Sequence, residues 1–408
     1  MTISPYAPLR VPDFRKLLLA NGALTLAREA QIVVVGWQVY ALTRDPLTLG
    51  LIGLAEALPY IGVALFAGHM ADRVERRMMA LAGTFGLVMS AVVLLLLTVT
   101  PGAITAGRIW PVYLVIALSA TARSFTRPAF FALTVDVIPR ELYPRAVAWR
   151  TSSWHLAAVV GPAAGGLLYG FAGPAAAYTA VVVGMSLSLA VISAVAHRSR
   201  PAPPEEAVPL SESLVTGVRF VWSDPVLLGA MTLDLFAVLF GGAVALLPAF
   251  ATLLAAGPEG LGLLRAAPAI GSIATGIVIA HRPPMKRAGF ALFASVAGFG
   301  ACMILFALSR EFWLSFLLLV VSGVFDNVSV VIRGTLLQTR TPEHLLGRVS
   351  AVNQIFIGSS NEIGAFESGV AARLLGVVPS VLFGGVMTLL VVGITAWRVP
   401  RLRQLHEL

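Results

Sequence analysis

"GHMADRVERRMM" (Gly68–Met79) places Asp72, Arg73, Glu75, Arg76 and Arg77 within six positions of a chain whose charged residues make up only 12% of its 408. Apolar runs flank the stretch on both sides. Each run is long enough to cross a bilayer core of ~30 Å as a helix. Five charges so close together do not belong in hydrocarbon. The stretch therefore reads as a polar joint between two membrane-spanning helices.

The rest of the chain follows the same pattern. Hydrophobic residues make up 58% of it, and the mean hydropathy is +0.87. Apolar runs of membrane-crossing length recur throughout, which excludes a soluble globular reading. The opening residues "MTISPYAPLRVPDFRK" lack the basic start, short apolar core and small-residue cleavage site of a signal peptide, so the first apolar run is expected to be a span. Cys302 is the only cysteine, so an intrachain disulfide is excluded.

Twelve helices are expected, at 17–42, 47–70, 78–99, 109–135, 146–169, 174–196, 225–254, 261–280, 288–308, 312–338, 347–374 and 378–397. Their connections alternate in charge. Twenty arginines and lysines fall on the side that holds both termini, three fall opposite (Arg44, Arg108 and Arg310), and six lie within spans. The positive-inside rule places both termini in the cytoplasm, an arrangement that needs an even number of spans. The polar, Pro-rich stretch "HRSRPAPPEEAVPLSES" (197–213) reads as a linker, and "LVTGVRFVWSD" after it as a short interfacial helix. The expected organisation is a six-helix bundle over 1–196, a cytoplasmic linker over 197–224 and a second six-helix bundle over 225–408. Pro139 and Arg145 recur as Pro342 and Arg348, 203 residues later, at the same place in each half. Two parallel repeats of this kind are common in secondary transporters.

A charge at bilayer centre costs roughly 2.5–3.5 kcal/mol even on the mildest scale, so central charges are functional candidates. Glu29, Arg123, Asp234, Asp326 and Glu362 are the near-central ones. The first four fall on spans 1, 4, 7 and 10, one in each triplet of spans. Arg123 is expected to balance one acid, Glu29 above all, and Arg28, Arg127 and Arg333 can do the same nearer the membrane surfaces. Asp326 is the leading proton carrier, followed by Glu29, Asp234 and Glu362, because a desolvated carboxylate can load and unload a proton. Each of these has an alternative reading as a structural interhelix hydrogen bond. Glu56, Arg265 and Glu367 read as outer-gate or structural residues. His155 is either a proton carrier or a packed neutral side chain. In the charged joint, Asp72 can face a helix N-terminus, and Arg76 or Arg77 can pair with a carboxylate, Asp136 being the natural partner. The alternative is a solvated loop that only sets topology. In "GPAAGG", Pro162 removes a backbone donor and the glycines permit close helix approach.

The joint resembles the signature loop of the major facilitator superfamily. It matches that pattern at Gly68, Asp72, Arg73, Arg76 and Arg77, and departs from it at Glu75. An acid at that place resembles the drug-exporter branch that includes enterobactin-type siderophore exporters. "SLVTGVRFVWSDPVL" and "LLQTRTPEHLLGRVSAVN" are similar to the same branch. Gly161, Pro162, Gly165 and Gly166 resemble the superfamily's antiporter motif in the fifth helix. The resemblance implies an all-α membrane protein of twelve helices in two six-helix bundles, with spans 1, 4, 7 and 10 lining a central cavity. It implies that Asp72 meets the N-terminus of the eleventh helix and that Arg76 pairs with Asp136. It further implies a monomer in the bacterial cytoplasmic (inner) membrane.

The function expected is proton-coupled export of small amphipathic molecules, drug-like compounds or siderophores, by alternating access. Its partners would be a small-molecule substrate, protons and the lipid bilayer, with no nucleic acid and no cofactor. Uptake or lipid movement by the same fold is the alternative, followed by a non-transporting receptor. An enzyme is not expected. The chain has no His–Glu–x–x–His, no Gly–x–Ser–x–Gly, no phosphate loop and no cysteine pair, and its six scattered histidines give no metal cluster.

Overall fold

The computed structural model describes residues 4–198, 210–241, 243–281 and 286–405. Side chains are described throughout these except at 64–69, 71–73 and 210–214. The helices are α1 (Pro12–Thr43), α2 (Pro46–Arg73), α3 (Arg76–Val99), α4 (Trp110–Val137), α5 (Tyr143–Ser193), α6 (Leu210–Ser223), α7 (Pro225–Phe240), α8 (Leu247–Leu253), α9 (Gly257–Ala280), α10 (Ala288–Leu308), α11 (Phe312–Arg340), α12 (Glu343–Leu375), α13 (Val377–Arg398) and α14 (Pro400–Arg403). Prolines open several of them, where their fixed φ suits the first turn and the missing N–H has no intrahelical partner to lose.

Nine helical stretches among the described residues are long and apolar enough to cross a membrane. That is fewer than the twelve expected, for two physical reasons. α5 runs for 51 residues as one assigned helix, although it breaks at Gly173, whose φ of 81° is open to glycine and costly for other residues. Pro174 follows and starts the second half. α4 and α12 are long, at 28 and 33 residues, but dilute their apolar character. Arg123 and Arg127 interrupt α4; Asn353, Gln354, Asn361 and Glu362 interrupt α12. The single helix expected over 225–254 is also corrected. α7 stops at Phe240 with Gly241 as its C-cap, a 3-10 turn follows at Ala243–Leu246, and α8 completes the segment. The linker expected at 197–213 falls largely outside the described residues, and the short helix expected after it is α6.

The chain divides into two compact units. The first comprises Met1–Thr43, Ala55–Glu206 and Gly257–Ala266. Its core joins Leu17, Leu24 and Ala27 of α1 to Leu87 of α3, Leu133 of α4 and Met185 of α5. At its polar edge, Asp13 accepts from Lys16 at 2.9 Å and from the His197 N–H at 2.9 Å, tying the start of α1 to the chain leaving α5. The second unit comprises Arg44–Leu54, Ala207–Ala256 and Ala267–Leu408. Its core joins Val226 and Leu233 of α7 to Leu292 of α10, Ile332 of α11 and Leu402 of α14. Large apolar side chains also point outward, among them Phe171 at 83% exposure and Trp397 at 74%, a surface suited to lipid rather than water.

Candidate functional site

Helices α7 and α11 bring three ionisable groups together inside the second unit. Asp234 on α7 is 8% exposed. It forms an ion pair with Arg333 on α11. Arg333 also donates Nε to the Ser329 carbonyl and hydroxyl, both at 3.2 Å, which fixes the guanidinium along its own helix. Asp326 stands seven residues before Arg333, two turns away on the same helix face. It feels the charge of both Arg333 and Asp234, and it makes no hydrogen bond among the described residues. One cation thus serves two carboxylates.

The first unit holds separate pairs. Arg123 on α4 meets Glu56 on α2 at 3.2 Å and lies over the Tyr60 ring at 5.9 Å. Glu29 meets its neighbour Arg28 at 3.2 Å. The expected Arg123–Glu29 pairing is therefore corrected. Glu56 lies one helical turn before Tyr60, so the two present a carboxylate and an aromatic face to the same guanidinium. Glu29 remains tightly placed. A β-carbon on Gly161 would lie 2.8 Å from the Glu29 Cβ, and one on Gly165 would lie 2.7 Å from the Ala30 carbonyl oxygen. The glycines of the fifth-helix motif are what let α5 lie backbone to backbone on α1 beside this acid. Gly166 stands equally close to Pro258 at the start of α9, and Pro162 is buried among them.

In the charged joint, Arg76 donates to Asp136 at the end of α4, and Arg77 donates to the Ser193 carbonyl at 2.6 Å. The start of α3 is thereby held to the ends of α4 and α5. Gly68, Asp72 and Arg73 lie outside the residues whose side chains are described. Glu362 is half-buried on α12, and its backbone carbonyl lies 3.0 Å from where a Gly53 β-carbon would stand.

Arg333, one of the bases expected to balance an acid, pairs with Asp234. Two features were not singled out from the sequence as site partners: Glu56 beside Arg123 and a buried polar ladder. In the ladder Tyr178 donates to Gln38 at 2.7 Å, and Gln38 donates to Thr98 at 3.1 Å, linking α5, α1 and α3. His155 packs edge-on to Trp154 with centroids 5.0 Å apart. Among the described residues, no three His, Cys, Asp or Glu side chains converge as a metal site.

Outside the spans, Asp224 caps α7. Its Oδ1 accepts from the N–H groups of Val226 at 2.8 Å and Leu227 at 3.1 Å, and its Oδ2 accepts from Arg340 at 2.8 Å. Burial works against the charged carboxylate, but the Arg340 guanidinium and the two N–H donors outweigh it. They hold Asp224 below the usual carboxylate range.

The described residues are almost entirely helical, with nine helical stretches long and apolar enough to cross a membrane, the architecture of transporters of the major facilitator fold. Solved structures of that fold agree. A peptide transporter in complex with sulfate matches with TM-score 0.74 at 14% identity, covering 100% of both chains. A bacterial homologue of the human lysosomal transporter Spinster, inward-facing and unoccupied, matches with TM-score 0.72 at 13% identity, covering 100% of this chain and 99% of that one. Within the fold, the chain belongs to the transmembrane secretion effector family, whose profile matches residues 3–407. It is similar to the enterobactin exporter EntS of Shigella flexneri and to that of Citrobacter koseri. Each is 26% identical over 386 residues, which is 94% of this chain and 90% of the relative.

Proposed function

We propose that this protein is a proton-coupled exporter of small amphipathic molecules, catecholate siderophores and drug-like compounds among them, in the bacterial inner membrane. The observation that carries the reading is the cluster of Asp234, Arg333 and Asp326, two carboxylates sharing one guanidinium between α7 and α11. With Arg333 committed to Asp234, Asp326 is the group left to exchange a proton as the cavity switches sides. Glu29, Glu362 and Arg123 are the further charged groups proposed to take part in coupling. The outward direction is supported by the enterobactin exporters among its relatives and by the Gly161–Gly166 motif.

On this reading the chain crosses the membrane twelve times, with six-helix bundles over 1–196 and 225–408, a linker over 197–224 and both termini in the cytoplasm. Gly68, Asp72, Arg73, Arg76, Arg77 and Asp136 form the cytoplasmic gate. The protein works as a monomer and catalyses no covalent reaction. One charge moved through 100 mV is worth ~2.3 kcal/mol, enough for roughly a 50-fold concentration ratio without ATP.

The test is transport into proteoliposomes that carry the protein with its cytoplasmic face outward and an acidic lumen. Labelled enterobactin and a cationic dye should each be tried. Accumulation that collapses on adding a protonophore is expected. Accumulation of neither compound, or accumulation indifferent to the protonophore, would contradict the proposal.

A further inference from the structure

We infer that the second unit carries a binding site for the phosphate headgroup of an anionic phospholipid, at the end where α7 begins and α11 finishes. A cleft of about 740 Å³ opens there, lined by Phe220, Ser223, Asp224, Arg340, Arg401 and Gln404, with Val226 and Leu405 among its apolar walls. Its size falls within the roughly 300–1,000 Å³ usual for small-ligand sites.

The charges of the cleft set its preference. Asp224 is already committed, to two backbone N–H groups and to Arg340. Its negative charge is therefore offset within the site. Arg401 has no carboxylate partner among the described residues, and its exposed guanidinium leaves the cleft net positive. A guanidinium offers a planar fork of donors that matches a phosphate in two-point contact.

The position of the cleft identifies the source of the phosphate. Pro225 opens one span and Arg340 closes another, so the cleft sits at the depth of the lipid headgroups, on the arginine-rich side. Helix α6 supplies a second, independent pointer. Val215 and Trp222 are 56% and 70% exposed. They are seven residues apart and so share a face, with the exposed Arg219 between them. An apolar stripe with an exposed Trp and a basic side chain suits a helix lying in the headgroup layer. This helix runs directly into Phe220 and Ser223 of the cleft. Basic pockets at the cytoplasmic ends of spans are the kind of place where anionic headgroups bind.

The test uses the purified full-length protein in detergent, with its thermal unfolding midpoint followed during titration. The probes are dioctanoyl phosphatidylglycerol, dioctanoyl phosphatidylcholine and inorganic phosphate. Phosphatidylglycerol should raise the midpoint saturably, and phosphatidylcholine should not. Arg401→Gln should weaken the apparent affinity at least tenfold. Arg403→Gln, also exposed but not lining the cleft, should leave it unchanged. Equal weakening by both variants would show unspecific surface attraction and overturn the site. Unaltered affinity in Arg401→Gln would overturn it as well. Saturation by inorganic phosphate at the same concentrations would overturn the lipid as the source.

Discussion

Removing Arg333 should expose how the buried cluster is held. Side-chain exposures in the Arg333–Asp234 pair are 12% and 11%, so neither charge can recover much hydration when its partner is lost. Breaking such a pair from one side costs about 3–5 kcal/mol. Arg333→Gln should therefore lower the unfolding free energy by about 3–5 kcal/mol, and Asp234→Asn by less, because Asp326 still stands beside Arg333. The double variant leaves two neutral amides of nearly the same size, able to hydrogen-bond to each other. It should lose much less than the sum of the singles, with a coupling energy of about 2–3 kcal/mol. Unfolding by SDS titration in mixed micelles measures all four proteins on one scale. Strict additivity, within the ~0.5 kcal/mol seen for independent sites, would refute the pairing and with it the claim that one guanidinium anchors this cluster.

Other sites give sharper local tests. Gly165→Ala puts a β-carbon 2.7 Å from the Ala30 carbonyl oxygen; it should cost about 1–3 kcal/mol by overpacking in the same SDS titration and slow transport as α5 is pushed off α1. Exchanging charges in Arg76→Asp with Asp136→Arg should recover part of the transport lost in either single variant, measured as drug or siderophore efflux from cells; no recovery would mean that the pair does not act as a unit. Asp224 has a depressed carboxylate pKa in the folded state. Its contribution is therefore complete above the unfolded value near ~3.9 and disappears as pH falls through the folded value. The stability gap between the wild type and Asp224→Asn should be open at neutral pH and close under acid, and a gap that widens on acidification would contradict the assignment.

The apolar runs made the spans legible because a bilayer demands a minimum helix length whatever the neighbours are. Gly173–Pro174 likewise marks its own break. The positions of Asp234 and Asp326 on their helices were readable for the same reason. Their partners were readable only as a set of candidate bases, Arg28, Arg127 and Arg333 among them. The choice within that set depends on how each helix is rotated about its axis, and in the first unit that rotation is set by small-residue contacts such as Gly161 and Gly165 on α1. Arg123 thus went to Glu56 rather than Glu29, and Glu29 met the adjacent Arg28. The Tyr178–Gln38–Thr98 ladder spans 140 residues from Gln38 to Tyr178, and nothing local announces it. The interruption at Gly241 was visible in the sequence as a double glycine, but the surrounding apolar run masked it.

The central claim is that Asp326 exchanges the coupling proton. Inverted membrane vesicles energised to an acidic interior, read with a pH-sensitive dye, test it most directly. Adding a transported siderophore or cationic drug should release protons from vesicles carrying the wild type and leave those carrying folded Asp326→Asn silent. Equal proton release from the variant would show that the proton travels by another group.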